Sequence, residues 1–215
     1  MPRFAVVDVE TSGLSSRRHR ILQIGVVTVE SDGTVVDQWS TLVRLRRPWS
    51  RVGPRRVHGI TRRTLRGAPR ADVALAELGR RLDGNVFTAH NADFDAAFIE
   101  QAAARAGLVL PGGRRLCTLQ LSRRLDPDRR LTHGLADVCA RYDITIERHH
   151  DALCDARATA EVLPHLLSAH GVVDVADLDR LYVSERAAGR GPSREPGRTP
   201  VGDGPRPAGG RVSGP

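Results

Sequence analysis

The chain has 215 residues, and 33 Lys+Arg against 25 Asp+Glu give a formal net charge of +8, every cation being Arg. Apolar residues make up 40% but aromatic ones only 4%, so one core of ordinary size, built on Val, Leu, Ile and Ala, is expected. No apolar run reaches the ~18–20 residues that span a bilayer, and Asp8 and Glu10 do not suit a signal peptide, which excludes a membrane partner.

Phe4 to Glu10 is short, β-branched and apolar, and predicts a first strand. Ile21–Glu30 predicts a second and Thr34–Arg44 a third, joined as a hairpin by Ser31-Asp32-Gly33. A basic loop follows over Arg46–Arg56, with Trp49 inside it. Leu75, Leu78 and Leu82 make one helical stripe over Ala71–Leu82, ended by Gly84. Val86–His90 predicts a short buried strand. Asp93–Ala106 predicts a helix with Phe94 and Phe98 on one face and Gly107 at its end. Leu116–Leu125 and Leu135–Arg141 predict two shorter helices. Asp151–Ala169 is the clearest long helix, with Leu153, Ala156, Ala160, Leu163 and Leu167 on one stripe and a kink expected at Pro164. A last helix is expected from Asp174 to about Arg186. Strands first, then helices alternating with strand, imply an α/β domain with a mixed central sheet flanked by helices.

The domain is expected to end near residue 185. Residues 186–215 hold 8 Gly, 6 Pro, 6 Arg and no aromatic residue, a composition that predicts a disordered tail. That segment carries half of the net charge, +4 from 6 Arg less Glu195 and Asp203. Cys117, Cys139 and Cys154 are odd in number and lack CxxC spacing. They predict buried free thiols and a cytoplasmic protein rather than a disulfide framework or zinc ribbon.

Three groups of polar residues fit a core poorly. Side chains alternate along a strand, so Asp8 and Glu10 share a face at the end of the first one. His90-Asn91-Ala92-Asp93-Phe94-Asp95 lies where a buried strand turns into a helix. His149-His150-Asp151-Ala152-Leu153-Cys154-Asp155 opens the long helix, with Asp151 as its expected cap. Five residues of helix turn about 140°, so His150 is expected to precede the helix and swing over a site that Asp155 faces. Each group alone is also what a solvated strand end or a helix cap would look like. Together they bring four carboxylates to one sheet edge, and the chain has no Lys to neutralise them. Oxygen ligands of that kind call for Mg²⁺ or Mn²⁺. Two such ions ~3.5–4 Å apart clamp an in-line displacement at phosphorus, with a nearby imidazole as general base.

The ordered set of motifs resembles the DEDDh, or DnaQ-like, 3′→5′ exonucleases, in particular the branch of the proofreading epsilon subunit of bacterial DNA polymerase III. Asp8-Val9-Glu10-Thr11-Ser12-Gly13-Leu14 is similar to the first motif, and Ile21-Leu22-Gln23-Ile24-Gly25 to the strand that follows. Val57-His58-Gly59-Ile60-Thr61, Ala89-His90-Asn91-Ala92 with Phe94-Asp95 and Phe98, Cys117-Thr118-Leu119, Gly134-Leu135, and His150 with Asp155 continue the match over about residues 3–170. The resemblance implies an RNase H-like fold and hydrolysis from 3′ ends to nucleoside 5′-monophosphates. It implies that Asp8, Glu10, Asp95 and Asp155 hold two Mg²⁺ or Mn²⁺ ions and that His150, rather than His149, is the base. Thr11, Leu14, His58 and Asn91 would contact the terminal nucleotide, Leu14 as a wedge beside its base. The implied partners are single-stranded or frayed 3′ ends of DNA and a DNA polymerase. Short RNA or tRNA ends, and a non-catalytic binding module on the same fold, are the alternatives left open.

Overall fold

The computed structural model describes residues 1–46 and 49–183. The expected tail at 186–215 lies outside the described residues. Five strands form one sheet: β1 (Phe4–Thr11), β2 (Ile21–Val29), β3 (Val35–Leu42), β4 (Val86–Ala89) and β5 (Arg115–Cys117), in the order β3-β2-β1-β4-β5. β1 pairs antiparallel with β2 and parallel with β4, β2 pairs antiparallel with β3, and β4 parallel with β5. The sheet is therefore mixed, and the α/β, RNase H-like expectation holds.

Helices α3 (Ala71–Leu82) and α4 (Ala92–Ala106) cover one face, and α7 (Ala152–Ala169) the other. The alternation along β1 assigns the faces. Ala5, Val7 and Val9 pack with Leu75, Leu78, Phe98 and Ile99, whereas Phe4 and Val6 pack with Leu163, Leu166 and Leu167. Each large apolar side chain so buried contributes about 1.5–3 kcal/mol. Asp8 and Glu10 continue the Phe4–Val6 row, so the period of two aims both beneath α7.

Local signals held where the pattern was long. The stripe of α3 is buried at Leu75, Leu78 and Leu82. Phe94 and Phe98 meet with ring centroids 4.9 Å apart, and Gly107 closes α4 with φ 69°. Leu153 and Cys154 backbone N–H groups donate to the Asp151 carboxylate, which caps α7 as expected. All three cysteines are free and buried. No helix among the described residues is long and apolar enough to cross a membrane.

Three expectations need correction. Leu116–Leu125 is not one helix: Arg115–Cys117 pairs with β4 as β5, and α5 runs only over Thr118–Arg124. Three residues are too few to show a period of two, and only the neighbouring strand makes them β. The last helix, α8, ends at Asp179. Beyond it the chain turns back so that the Val183 N–H donates to the Arg115 carbonyl at 2.8 Å, backbone pairing beside β5 that a longer helix would forfeit. The basic loop gives way at Arg55 to two four-residue helices, α1 (Arg55–His58) and α2 (Arg62–Leu65). Both are too short for a helical period to be visible. Thr61 and Thr64 cap α2 reciprocally, which was the signal available in the sequence. The remaining helix, α6 (Leu135–Arg141), lies as expected. Leu121 of α5 is fully buried, and Leu125, four residues on, is 41% exposed.

Candidate active site

β1 outruns β4. Their pairing covers only Phe4–Val6, so the far half of β1 has a free edge. The start of α4 fills that edge, and the Val9 N–H donates to Asp95 Oδ1 at 3.1 Å. The carboxylate thereby satisfies a buried backbone donor and is drawn in beside β1, with only 3% of Asp95 exposed. Asn91, at the N-cap of α4, takes φ 76° and makes no capping bond, which leaves its exposed side chain uncommitted. His90 fixes this junction from behind. Its Nδ1 lies 3.0 Å from Thr118 Oγ1 and its Nε2 2.9 Å from the His133 carbonyl. Burial pushes the His90 imidazole down to about 4, so it stays neutral at pH 7 and serves as a brace.

The N-terminus of α7 arrives from the other side. β2 carries Gly25 directly opposite Asp8. A Cβ at Gly25 would stand 2.2 Å from the Ala152 carbonyl oxygen and 2.6 Å from Leu153 N. Only glycine lets the backbone of the helix start sit on the sheet there. This positioning role was not legible in the sequence, where Gly25 only ends the segment Ile21-Leu22-Gln23-Ile24-Gly25. The close approach sets Asp155 over β1. His150 precedes the helix, as the spacing predicted, with φ 60°. Its backbone N–H donates to Asp155 Oδ2 at 3.0 Å.

One ligand atom each from Glu10, His150 and Asp155 lie within 4.8 Å of one another. Asp8 and Asp95 complete the electrostatic cluster. Burial, then Asp95, Asp155, Glu10 and Asp151, holds the Asp8 carboxyl well above the usual range. Burial, then Asp155 and Asp151, raises Glu10 to about 7. Burial also raises Asp95 and Asp155, against the backbone N–H groups that stabilise their charged forms. Among the described residues none of these four carboxylates has an Arg ion-pair partner. Like charges packed this way without a counter-charge are destabilising, and a divalent cation is the group that reverses the sign. The donor set fits one: Glu10, His150 and Asp155 could hold a metal ion.

The sign of the pH effect follows. Carboxylates with raised values must lose protons before they bind a cation. The rise in Tm on adding Mn²⁺ should therefore be larger at pH 8 than at pH 6, with Glu10, near 7, losing its proton in between. A differential-scanning titration across that range checks it; a metal-induced shift independent of pH would count against this cluster as the binding site.

Of the other expected contacts, Thr11 ends β1, Leu14 follows it, Asn91 follows β4 and His58 lies on α1. Thr11 Oγ1 donates to the Gly13 carbonyl at 2.9 Å, and Leu14 projects with 81% of its surface exposed. His58 is buried, and the Ile60 N–H donates to its Nδ1 at 3.0 Å. Burial lowers its imidazole against a backbone hydrogen bond at Val52, and His150 adds to the lowering, which puts the two rings within electrostatic reach. His149 is exposed and, unlike His150, does not belong to the group of Glu10, His150 and Asp155, although its charge also lowers Asp155. Asp151, expected only as a cap, also adds negative charge to Asp8, Glu10 and Asp155.

Residues 5–163 match the family model described as Exonuclease. The chain belongs to the DnaQ-like 3′→5′ exonuclease family. A PolC-type DNA polymerase III of Halalkalibacterium halodurans is 32% identical over 179 residues, covering 83% of this chain and 12% of that protein. This exonuclease chain thus spans about an eighth of the length of the curated relatives it matches. Exonuclease X in complex with 5′ overhanging duplex DNA superposes with a TM-score of 0.61 at 28% identity, over 80% of this chain and 95% of that one. E. coli Exonuclease I in complex with a dT13 oligonucleotide shares the fold, with a TM-score of 0.66 at 16% identity, over 80% of this chain and 42% of that one. The exonuclease is accordingly a nuclease hydrolase whose carboxylate cluster lies within the matched region.

Proposed function

We propose that the protein hydrolyses DNA from the 3′ end and releases nucleoside 5′-monophosphates. The observation that carries this reading is the convergence of Glu10, His150 and Asp155 within 4.8 Å, with the half-buried carboxylate of Asp8 and the buried one of Asp95 completing the electrostatic cluster. A binding module has no use for a like-charge cluster that weakens its own fold. Two Mg²⁺ or Mn²⁺ ions held by Asp8, Glu10, Asp95 and Asp155 would supply the positive charge that the scissile phosphate and the attacking water require. His150 accepts the proton of that water, and Asp155 keeps the His150 backbone in place through the bond it receives from its N–H. The P–O3′ bond of the penultimate nucleotide breaks and its oxygen takes up a proton. Leu14 wedges beside the terminal base, while Thr11, Asn91 and His58 face the same nucleotide. The DNA preference is supported by the relatives, among them a DNA polymerase III and an Exonuclease X bound to duplex DNA. A polymerase partner, in cis or in trans, is the matching proposal for context.

The test is a side-by-side rate comparison on matched, 3′-labelled DNA and RNA strands, blunt and mismatched, with Mg²⁺. Mononucleotides from DNA, stopped by EDTA, are expected. Faster hydrolysis of RNA would replace the substrate, and no product from either would end the hydrolase reading. His150→Ala should lower kcat by about 10²–10⁴-fold, the usual contribution of a general base, while the metal-induced rise in Tm persists. His149→Ala should stay near the wild-type rate. The opposite ranking would reassign the base.

A further inference from the structure

The basic excess has one feature that the catalytic cluster does not explain. Residues 38–71 contain ten Arg and not a single Asp or Glu. Within this stretch Trp49 stands 75% exposed, in a chain with only two Trp. The other, Trp39, is half-buried under the Arg81 guanidinium, 4.8 Å from its ring centroid. An indole left in water on an Arg-rich, acid-free stretch is costly and matches one chemistry well: a stacked base on a polyanionic strand.

The segment carrying Trp49 is fastened beside the active site. Arg62 donates to the Ser50 carbonyl. Val52 is buried with Leu22, Ile60 and Leu65. Gly53, at φ 82°, lies so close to Ser12 that a Cβ would stand 2.5 Å from the Ser12 carbonyl oxygen. Ser12 adjoins Thr11 and precedes Leu14, and the same segment leads into α1 and His58. Arg51, Arg55 and Arg56 are exposed and have no acidic partner among the described residues.

We propose that Trp49 is a stacking platform for a base upstream of the terminal nucleotide, with Arg51, Arg55 and Arg56 on the phosphates of the same single strand. This deepens the proposed function and rests on it for the choice of strand end. The subsite lies outside the four carboxylates, so it acts on strand binding and leaves the bond-breaking step to them. It favours strands long enough to reach from the carboxylates to the indole, and it is tolerant of sequence because every base has a π-face.

Two measurements on the full chain test it. Titration with an octadeoxythymidylate in EDTA should quench tryptophan fluorescence in the wild type, and W49F should lose the quench while Trp39 still emits. In Mg²⁺, W49A should raise KM for the octanucleotide about tenfold relative to KM for a dinucleotide, a typical stacking loss, with W49F recovering most of it. Equal KM changes on both lengths, or a quench that survives in W49F, would overturn the subsite. Failure of the wild type to cleave either substrate would strike the hydrolase reading alone, because the quench is read without turnover.

Discussion

Asp8→Asn should bring hydrolysis of a 3′-labelled strand to background and at the same time raise the melting temperature in EDTA. The two effects have one cause. Burial, then Asp95, Asp155, Glu10 and Asp151, all disfavour the ionised carboxylate of Asp8. Neutralising it without changing its shape relieves that repulsion. Each kcal/mol so recovered is worth about 2–4 °C in a domain of this size. The loss of rate should be on the order of 10³-fold or more, because several kcal/mol of charge stabilisation at phosphorus depends on the cations this cluster holds. Mn²⁺ should raise the Tm of the variant less than that of the wild type. A variant that loses activity and also melts lower in EDTA would mark Asp8 as a structural residue instead.

Gly25→Ala should be the most damaging substitution at a position with no chemistry of its own. The added methyl would meet the Ala152 carbonyl carbon at 2.3 Å and its oxygen at 2.2 Å. Both are backbone atoms, so no side-chain rotation relieves the contact, and the first turn of α7 must lift from β2. Overpacking of this kind costs about 1–3 kcal/mol. The effect on rate should be larger than the effect on stability. His150 and Asp155 ride on that turn, and displacements near 1 Å can cost about 10²-fold in kcat. A Cβ at Gly67 would meet nothing within 4 Å, so Gly67→Ala should change neither quantity. Parallel measurement of kcat and Tm for the two variants checks the argument. A Gly25→Ala enzyme with wild-type kcat would show that the helix start tolerates the shift.

The sequence alone determined what local pattern can encode. The period of two along Phe4–Glu10 put Asp8 and Glu10 on one face, and the stripes of α3 and α7 assigned their buried sides. The five-residue step from His150 to Asp155 placed the histidine ahead of the helix. Composition determined that no Lys could neutralise the acids, and the ordered motifs determined the family.

The tertiary structure decided the rest, because it depends on residues far apart in the chain. Asp95 could be read as a first-turn helix residue, but only the unpaired edge of β1 made it the partner of the Val9 N–H. β5 exists as a strand only because β4 is beside it, and α8 stops where Val183 can pair with Arg115. Gly25 gains its meaning from Ala152, which no local window contains. The net charge of +8 was visible at once, but only the fold brings Gly53, within the acid-free Arg segment, against Ser12 just past the strand that carries Asp8 and Glu10. Periodicity is a property of neighbours along the chain, whereas close backbone approach and a strand's free edge are set by which elements meet in space.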